Sequence, residues 1–228
     1  MRYRAVIFDL FGTIVDGFAA SSAGYQEQFA DALGVPHDEL AQRWRQLTDR
    51  RTLGEFGSVE ESIEHVCSLI GTTVTAEQMM KAVEIRLNLT RHALTPKPDA
   101  IATFEDLKAG GFKIGLLSNC SVEIPIVWPE TVFAPLFDST IFSSCERIKK
   151  PAPQIYHLAC ERLGVEPEDC LYVADGENFE LSAAARVGMH PVLIKTSESH
   201  SEVRREAQEW QGATIENLAE ILQRVSQS

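Results

Sequence analysis

At 228 residues, with 44% hydrophobic and 24% charged side chains, the chain is long enough for one full core and a sizeable insertion, and its composition is that of an ordinary globular protein. Its formal net charge of −12 excludes nucleic acid and anionic membrane surfaces as main partners, because both need basic patches. No apolar run reaches the roughly 20 residues of a membrane span.

Taken in chain order, Tyr3–Phe8 reads as a strand whose run Ala5–Phe8 is wholly apolar. It delivers Asp9 to a sharp turn at Gly12-Thr13. From Gly17 to about Thr95 apolar residues recur at helical spacing, over Ser21–Leu33, His37–Thr48, Ser58–Ile70 and Thr75–His92. Asp38 and Glu39, and Thr75 with Gln78 three residues on, mark helix starts, and Gly34, Gly57 and Gly71 punctuate the ends.

Beyond Thr95 strands and helices alternate. Asp99–Ala109 is a helix, Lys113–Leu117 a strand, Thr140–Ser143 a short strand, and Pro151–Leu163 a helix with Pro151 near its first turn. Cys170–Ala174 is a strand, Asn178–Val187 a helix and Pro191–Ile194 a strand, and Ser201–Trp210 and Ile215–Val225 close the chain as helices. Apolar strands alternating with helices imply a parallel sheet covered on both faces, an α/β class. The core is therefore discontinuous, residues 1–15 and 95–228, with an all-helical block at 16–94 inserted after the Asp9 turn.

Chemistry-bearing residues collect where strands end or the next helix begins, the place where open α/β sheets bind ligands. Asp9 follows the first strand; it suits a turn or cap, and equally a nucleophile. Ser118-Asn119 ends the second strand; the pair suits a helix cap, and equally a hydroxyl with backbone N–H groups holding a phosphoryl oxygen. Lys150 directly precedes Pro151 and is placed to reach anions near a helix N-terminus, with Lys149 its neighbour. Asp175 follows Leu171-Tyr172-Val173-Ala174, with Glu180 about one turn later; an N-cap with a first-turn acid explains them, and so does a hard-cation site of oxygen ligands.

The stretch Val6-Ile7-Phe8-Asp9-Leu10-Phe11-Gly12-Thr13 resembles motif I of the haloacid dehalogenase-like hydrolases. Gly115–Asn119, Lys150-Pro151 and Val173–Glu180 resemble motifs II, III and IV, with Ala174 where Gly is usual and Glu180 in place of a second Asp. The resemblance implies a Rossmann-like three-layer core with a central parallel sheet and an inserted α-helical cap. It implies a Mg²⁺-dependent phosphatase acting on a small phosphorylated metabolite: Asp9 the nucleophile, with Thr13, Ser118 and Lys150 catalytic. Gly12, Ser118, Asn119 and Lys150 would bind phosphate, and the metal would be held by Asp9, the Phe11 backbone carbonyl, Asp175 and Glu180 through a water. Neither nucleic acid nor membrane is an expected partner, and the sequence does not indicate the oligomeric state.

The chain departs from the phosphatase pattern at Phe11, where that pattern has an Asp that protonates the leaving alkoxide. General acid–base catalysis contributes about 10²–10⁴-fold, and a phenyl ring supplies none of it. Three explanations stand. His65, His92 or Glu55 of the inserted block supplies the acid; the leaving group needs none; or the chemistry differs. The haloacid dehalogenases proper carry an aromatic residue there, attack carbon with the same Asp and need no metal, but their motif IV lacks the acid that Asp175 provides. A degenerate site serving as a binding module is a further alternative. The five cysteines, Cys67, Cys120, Cys145, Cys160 and Cys170, are odd in number and lack metal-ligand spacing. With no signal-peptide pattern at the N-terminus they read as reduced thiols of a cytoplasmic protein, which leaves the Asn88-Leu89-Thr90 sequon idle.

Overall fold

The computed structural model describes residues 3–18, 24–195 and 205–226. Among them, six strands form one parallel sheet: β1 (Ala5–Phe8), β2 (Lys113–Ser118), β3 (Ser139–Phe142), β4 (Cys170–Ala174), β5 (His190–Ile194) and β6 (Ala213–Ile215). Their spatial order is β3-β2-β1-β4-β5-β6, so the strand order reverses at β1. The core is the covered parallel sheet that the alternating pattern predicts and the Rossmann-like α/β fold that the resemblance implies.

Side-chain alternation explains why β1 and β4 are apolar throughout. Val6, Phe8, Leu171 and Val173 face one buried cluster with Phe104, Leu107 and Ile124. Ala5, Ile7, Tyr172 and Ala174 face the other, with Ile155, Tyr156 and Leu181. Helices α6 (Ala100–Ala109) and α12 (Ile221–Ser226) cover the first face; α9 (Pro153–Leu163) and α10 (Glu180–Arg186) cover the second.

Between β1 and α6 lie α1 (Tyr25–Leu33), α2 (His37–Gln46), α3 (Thr48–Thr52), α4 (Val59–Ile70) and α5 (Ala76–Ala93), around their own core of Phe29, Leu33, Leu40, Ile63 and Val66. The α5 start matches the sequence closely: Thr75 accepts from the Gln78 amide and Gln78 answers to the Thr75 amide, a complete capping box. The α1 start at Ser21 falls outside the described residues. The chain leaves and re-enters the core side by side, since Val15 bridges Pro96 and the Lys97 amide donates to Ile14 O at 2.9 Å.

Several boundaries differ from the sequence reading. The helix expected over His37–Thr48 ends at Gln46, and a separate short helix follows from Thr48. Pro151 does not open α9; Pro153 takes the first helical position and holds Ala152 extended before it. Asn178 does not start α10, because Asn178 and Phe179 both sit at left-handed φ (53° and 59°) and the helix begins at Glu180. Strand β6 and the short helices α7 (Glu123–Val127) and α8 (Ser143–Glu146) were not expected. Of the helix read over Ser201–Trp210, the described part is α11 (Arg205–Glu209), and the helix read from Ile215 shrinks to α12, with Ile215 closing β6.

The insertion seats on the core at a backbone contact. Gly54 (φ +66°) lies so close to Ser144 that an added Cβ would sit 1.9 Å from its carbonyl oxygen. Gly71 (φ +85°) has open space around the same position. Gly54→Ala should therefore destabilise by about 2–4 kcal/mol, a left-handed alanine plus a backbone displacement, against about 1–2 for Gly71→Ala, where the φ cost stands alone. Urea unfolding of the two variants checks this; equal losses would mean the Gly54–Ser144 contact yields freely.

Candidate active site

The candidate residues sit at the carboxyl ends of strands or in the loops beyond them, with Glu180 at the start of α10, beside the switch point at β1. Gly12 (φ 77°) turns the chain after Asp9, and its amide donates to Val15 O at 2.7 Å. The turn brings Thr13 back over the carboxylate, where its Oγ1 donates to Asp9 Oδ2 at 3.1 Å. Asp9 is buried to 6% exposure.

Lys150 is the hub. Its Nζ donates to Asp9 Oδ1 at 2.5 Å, to Glu180 Oε2 at 2.6 Å and to Tyr172 Oη at 3.1 Å. Tyr172 in turn donates to Glu180 Oε2 at 2.7 Å. Burial opposes the charge on Lys150, but the carboxylates of Asp9 and Glu180 outweigh it and raise the ammonium pKa above the usual lysine value. Burial pushes Glu180 up to about 8, with Lys150 opposing and Asp9 and Asp175 adding to the rise. Asn119 fixes the Lys150 backbone from both sides: its Nδ2 donates to Lys150 O at 3.0 Å and its Oδ1 accepts from the Lys150 amide at 2.8 Å. This contact gives Asn119 a positioning task, aimed at Lys150. Lys149 points away, to Asp49 at 2.6 Å.

Asp175 is fully buried, and its Oδ1 accepts from the Glu177 amide at 3.2 Å. Asp9, Asp175 and Glu180 each present a carboxylate oxygen within 4.8 Å of the other two. These oxygens are hard donors of the kind Mg²⁺ prefers. Both Glu180 oxygens are engaged, Oε2 by Lys150 and Tyr172 and Oε1 by the Glu177 amide at 3.2 Å. Ser118 Oγ is buried without a well-formed hydrogen bond, the Cys120 thiol being its polar neighbour.

A cavity of about 410 Å³ lies beside the Asp9 turn, lined by Phe11, Gly12 and Asn119 on the core and by Trp44, Thr48 and Arg51 on the insertion. The Phe11 ring packs against Phe18 at 5.1 Å between centroids and forms apolar wall. None of the three acids proposed from sequence lines this cavity. Glu55 pairs with Arg50 at 2.6 Å; His65 is held by Arg50 at 2.7 Å against the Phe56 ring; His92 bonds Tyr25 at 3.0 Å. Each is tied up within the insertion by local partners that sequence spacing does not reveal. The carboxyl groups that do line the cavity belong to Asp16 and Glu177.

Sequence reasoning also passed over Tyr172, Lys97 and Arg51. Tyr172 reads as a core residue of β4. Lys97 Nζ donates to the Gly12 carbonyl at 2.6 Å; burial lowers its pKa, with Asp16 and Asp175 opposing. The flanking Pro96 and Pro98 were the available signal that its backbone is held.

Among the described residues, no helix is long and apolar enough to cross a membrane. The family model of haloacid dehalogenase-like hydrolases matches residues 3–188. The chain is 28% identical over 197 residues to (S)-2-haloacid dehalogenase 4A of Burkholderia cepacia, covering 84% of this chain and 82% of that one. It is 25% identical over 210 residues to glyceraldehyde 3-phosphate phosphatase of Methanothermobacter thermautotrophicus, covering 87% and 88%. The crystal structure of 2-haloacid dehalogenase from Pseudomonas syringae pv. Tomato DC3000 superimposes with a TM-score of 0.71 at 20% identity, over 99% of each chain, a likeness of fold. With its motifs gathered at the strand ends and the family match spanning most of its length, the chain belongs to the haloacid dehalogenase-like hydrolases.

Proposed function

We propose that the chain is a phosphohydrolase of a small phosphorylated metabolite, with Asp9 as nucleophile. The observation that carries the reading is the convergence of Asp9, Asp175 and Glu180 within 4.8 Å. Lys150 bonds Asp9 and Glu180, and bringing a dianionic substrate up to this cluster of buried carboxyl groups would add like charge that a cation would offset. Asp9, the Phe11 carbonyl and Asp175 would hold Mg²⁺, with Glu180 through a water, and the ion would supply charge neutralisation and Lewis-acid polarisation of the phosphoryl group.

An Asp9 oxygen attacks phosphorus, the bond to the leaving oxygen breaks, and an aspartyl phosphate forms. Water then attacks that phosphorus and returns the Asp9 carboxylate with inorganic phosphate. Thr13 and Lys150 aim the Asp9 carboxylate, and Ser118 Oγ, with no committed partner, is a donor for a phosphoryl oxygen. Phe11 provides no proton, so leaving groups of low pKa are favoured.

A second reading, 2-haloacid dehalogenation, is supported by Phe11 and by the relatives that bear that name. There Asp9 would attack carbon, halide would depart, and water would cleave the resulting ester. One set of assays separates the two. The phosphohydrolase reading expects Mg²⁺-stimulated hydrolysis of phenyl phosphate, with alkyl phosphates slower by about 10²-fold or more. It also expects Asp175→Ala to weaken Mg²⁺ affinity at least about tenfold by calorimetry. Chloride release from 2-chloropropionate that is indifferent to chelator and to Asp175→Ala would replace it with the dehalogenase reading.

A further inference from the structure

Two guanidiniums of the insertion, those of Arg51 and Arg86, line the cavity beside the Trp44 ring. Arg51 of α3 is only 9% exposed. Its guanidinium lies 4.4 Å from the centroid of the Trp44 ring, and that of Arg86 lies 4.7 Å from the same ring. Arg86 is committed: its Nη2 and Nε donate to Glu123 Oε1 at 2.9 and 3.3 Å. Arg51 is not. Its Nη2 reaches Trp44 O and Thr48 Oγ1 only at 3.4 and 3.5 Å, and its Nε is buried without a partner.

Among the buried groups here two guanidiniums stand against one carboxylate, an excess of one positive charge; the other carboxyl groups lining the cavity are the exposed Asp16 and the half-buried Glu177. The imbalance registers on Arg51 itself, whose pKa burial pushes down to about 10, with Glu123 opposing and Arg86 adding. A buried, incompletely bonded guanidinium is costly unless an anion completes it. Arg51 and Arg86 line the same cavity as Phe11, Gly12 and Asn119. An excess of one charge fits a monoanion. The planar fork of Arg51 fits a carboxylate, and the Trp44, Phe18 and Leu89 walls fit a short carbon skeleton.

We propose that Arg51, supported by Arg86 and the Trp44 ring between them, is a carboxylate subsite, so that the substrate carries a carboxylate distinct from the group Asp9 attacks. This deepens the reading of the Asp9 site and rests on it for the word substrate, but the subsite itself is testable without turnover. Butyrate and butyramide share shape and size and carry no reactive group, so the wild-type protein serves, by calorimetry at low chloride.

Butyrate is expected to bind, and butyramide to bind at least about tenfold more weakly, since a hydrogen bond to a charged group is worth roughly a factor of ten or more. Arg51→Met should reduce butyrate affinity about 10- to 100-fold. Arg51→Lys, which keeps the charge and loses the fork, should fall between and serves as the test if the Met variant does not fold. Inorganic phosphate should bind alongside butyrate rather than displace it. Equal affinity for butyrate and butyramide, undiminished butyrate binding in both Arg51 variants, or mutually exclusive binding of butyrate and phosphate would each overturn the subsite. None of these results depends on whether Asp9 is the nucleophile, and an active Asp9→Asn enzyme would sink that reading while leaving the butyrate result intact.

Discussion

Asp9→Asn should lower turnover by about 10³-fold or more while leaving the protein folded. The amide keeps the shape of the carboxylate and one oxygen, so it still accepts from Lys150 Nζ or from Thr13 Oγ1. It cannot form the covalent intermediate. Stability should change by no more than about 1–2 kcal/mol, because the substitution also removes one of three crowded negative charges. Both hydrolytic readings share this expectation, since each needs the same nucleophile. Steady-state rates with the best phosphate ester or haloacid, and thermal unfolding of the same preparation, check it. Retention of a few per cent of wild-type rate would remove covalent catalysis by Asp9.

Lys150→Met should hurt both activity and stability. Among the described residues, Lys150 is the cation that bonds both Asp9 and Glu180, and all three side chains are buried. Deleting one partner of a buried ion pair leaves the other uncompensated, at a cost of about 3–5 kcal/mol. The Asn119 amide would still hold the backbone of residue 150, so the loss belongs to the ammonium rather than to the loop. A double-variant cycle identifies the origin. Adding Asp9→Asn to Lys150→Met should restore about 1 kcal/mol or more, because one stranded charge disappears. Simple additivity in urea unfolding would mean the two groups do not interact.

The core and the order of its motifs were legible because the sheet is buried on both faces. A strand with no solvent side has no polar positions, so Ala5–Phe8 and Cys170–Ala174 stand out as apolar runs that each end at an acid. Strand β6 escaped notice because it has three residues and buries only Ile215 well. Helices of four or five residues, such as Thr48–Thr52 and Ser143–Glu146, complete too little of a period to register. Within the site, Asp9, Lys150, Asp175 and Glu180 were findable by position. Tyr172 was not, since in a core strand its hydroxyl is indistinguishable from packing. Arg51 was not, since Asp49-Arg50-Arg51 reads as a solvated charge run until the Trp44 ring is seen against its guanidinium.

The Ser143 hydroxyl ties the two halves of the molecule together. It donates to Thr52 O of the insertion at 2.6 Å and accepts from the Cys120 amide, at the end of β2, at 3.0 Å. Cys120 is the next residue after Asn119, whose amide grips the Lys150 backbone. The surface ion pairs that also span the halves, Lys149–Asp49 and Arg91–Glu130, are exposed and worth little apiece. Thr52 O, Ser143 Oγ, the Cys120 amide and Asn119 therefore form one path from the insertion to the ammonium, beside the Gly54–Ser144 contact and the buried Arg86–Glu123 pair. A tilt of the insertion would load the Lys150 ammonium by way of the peptide between Asn119 and Cys120.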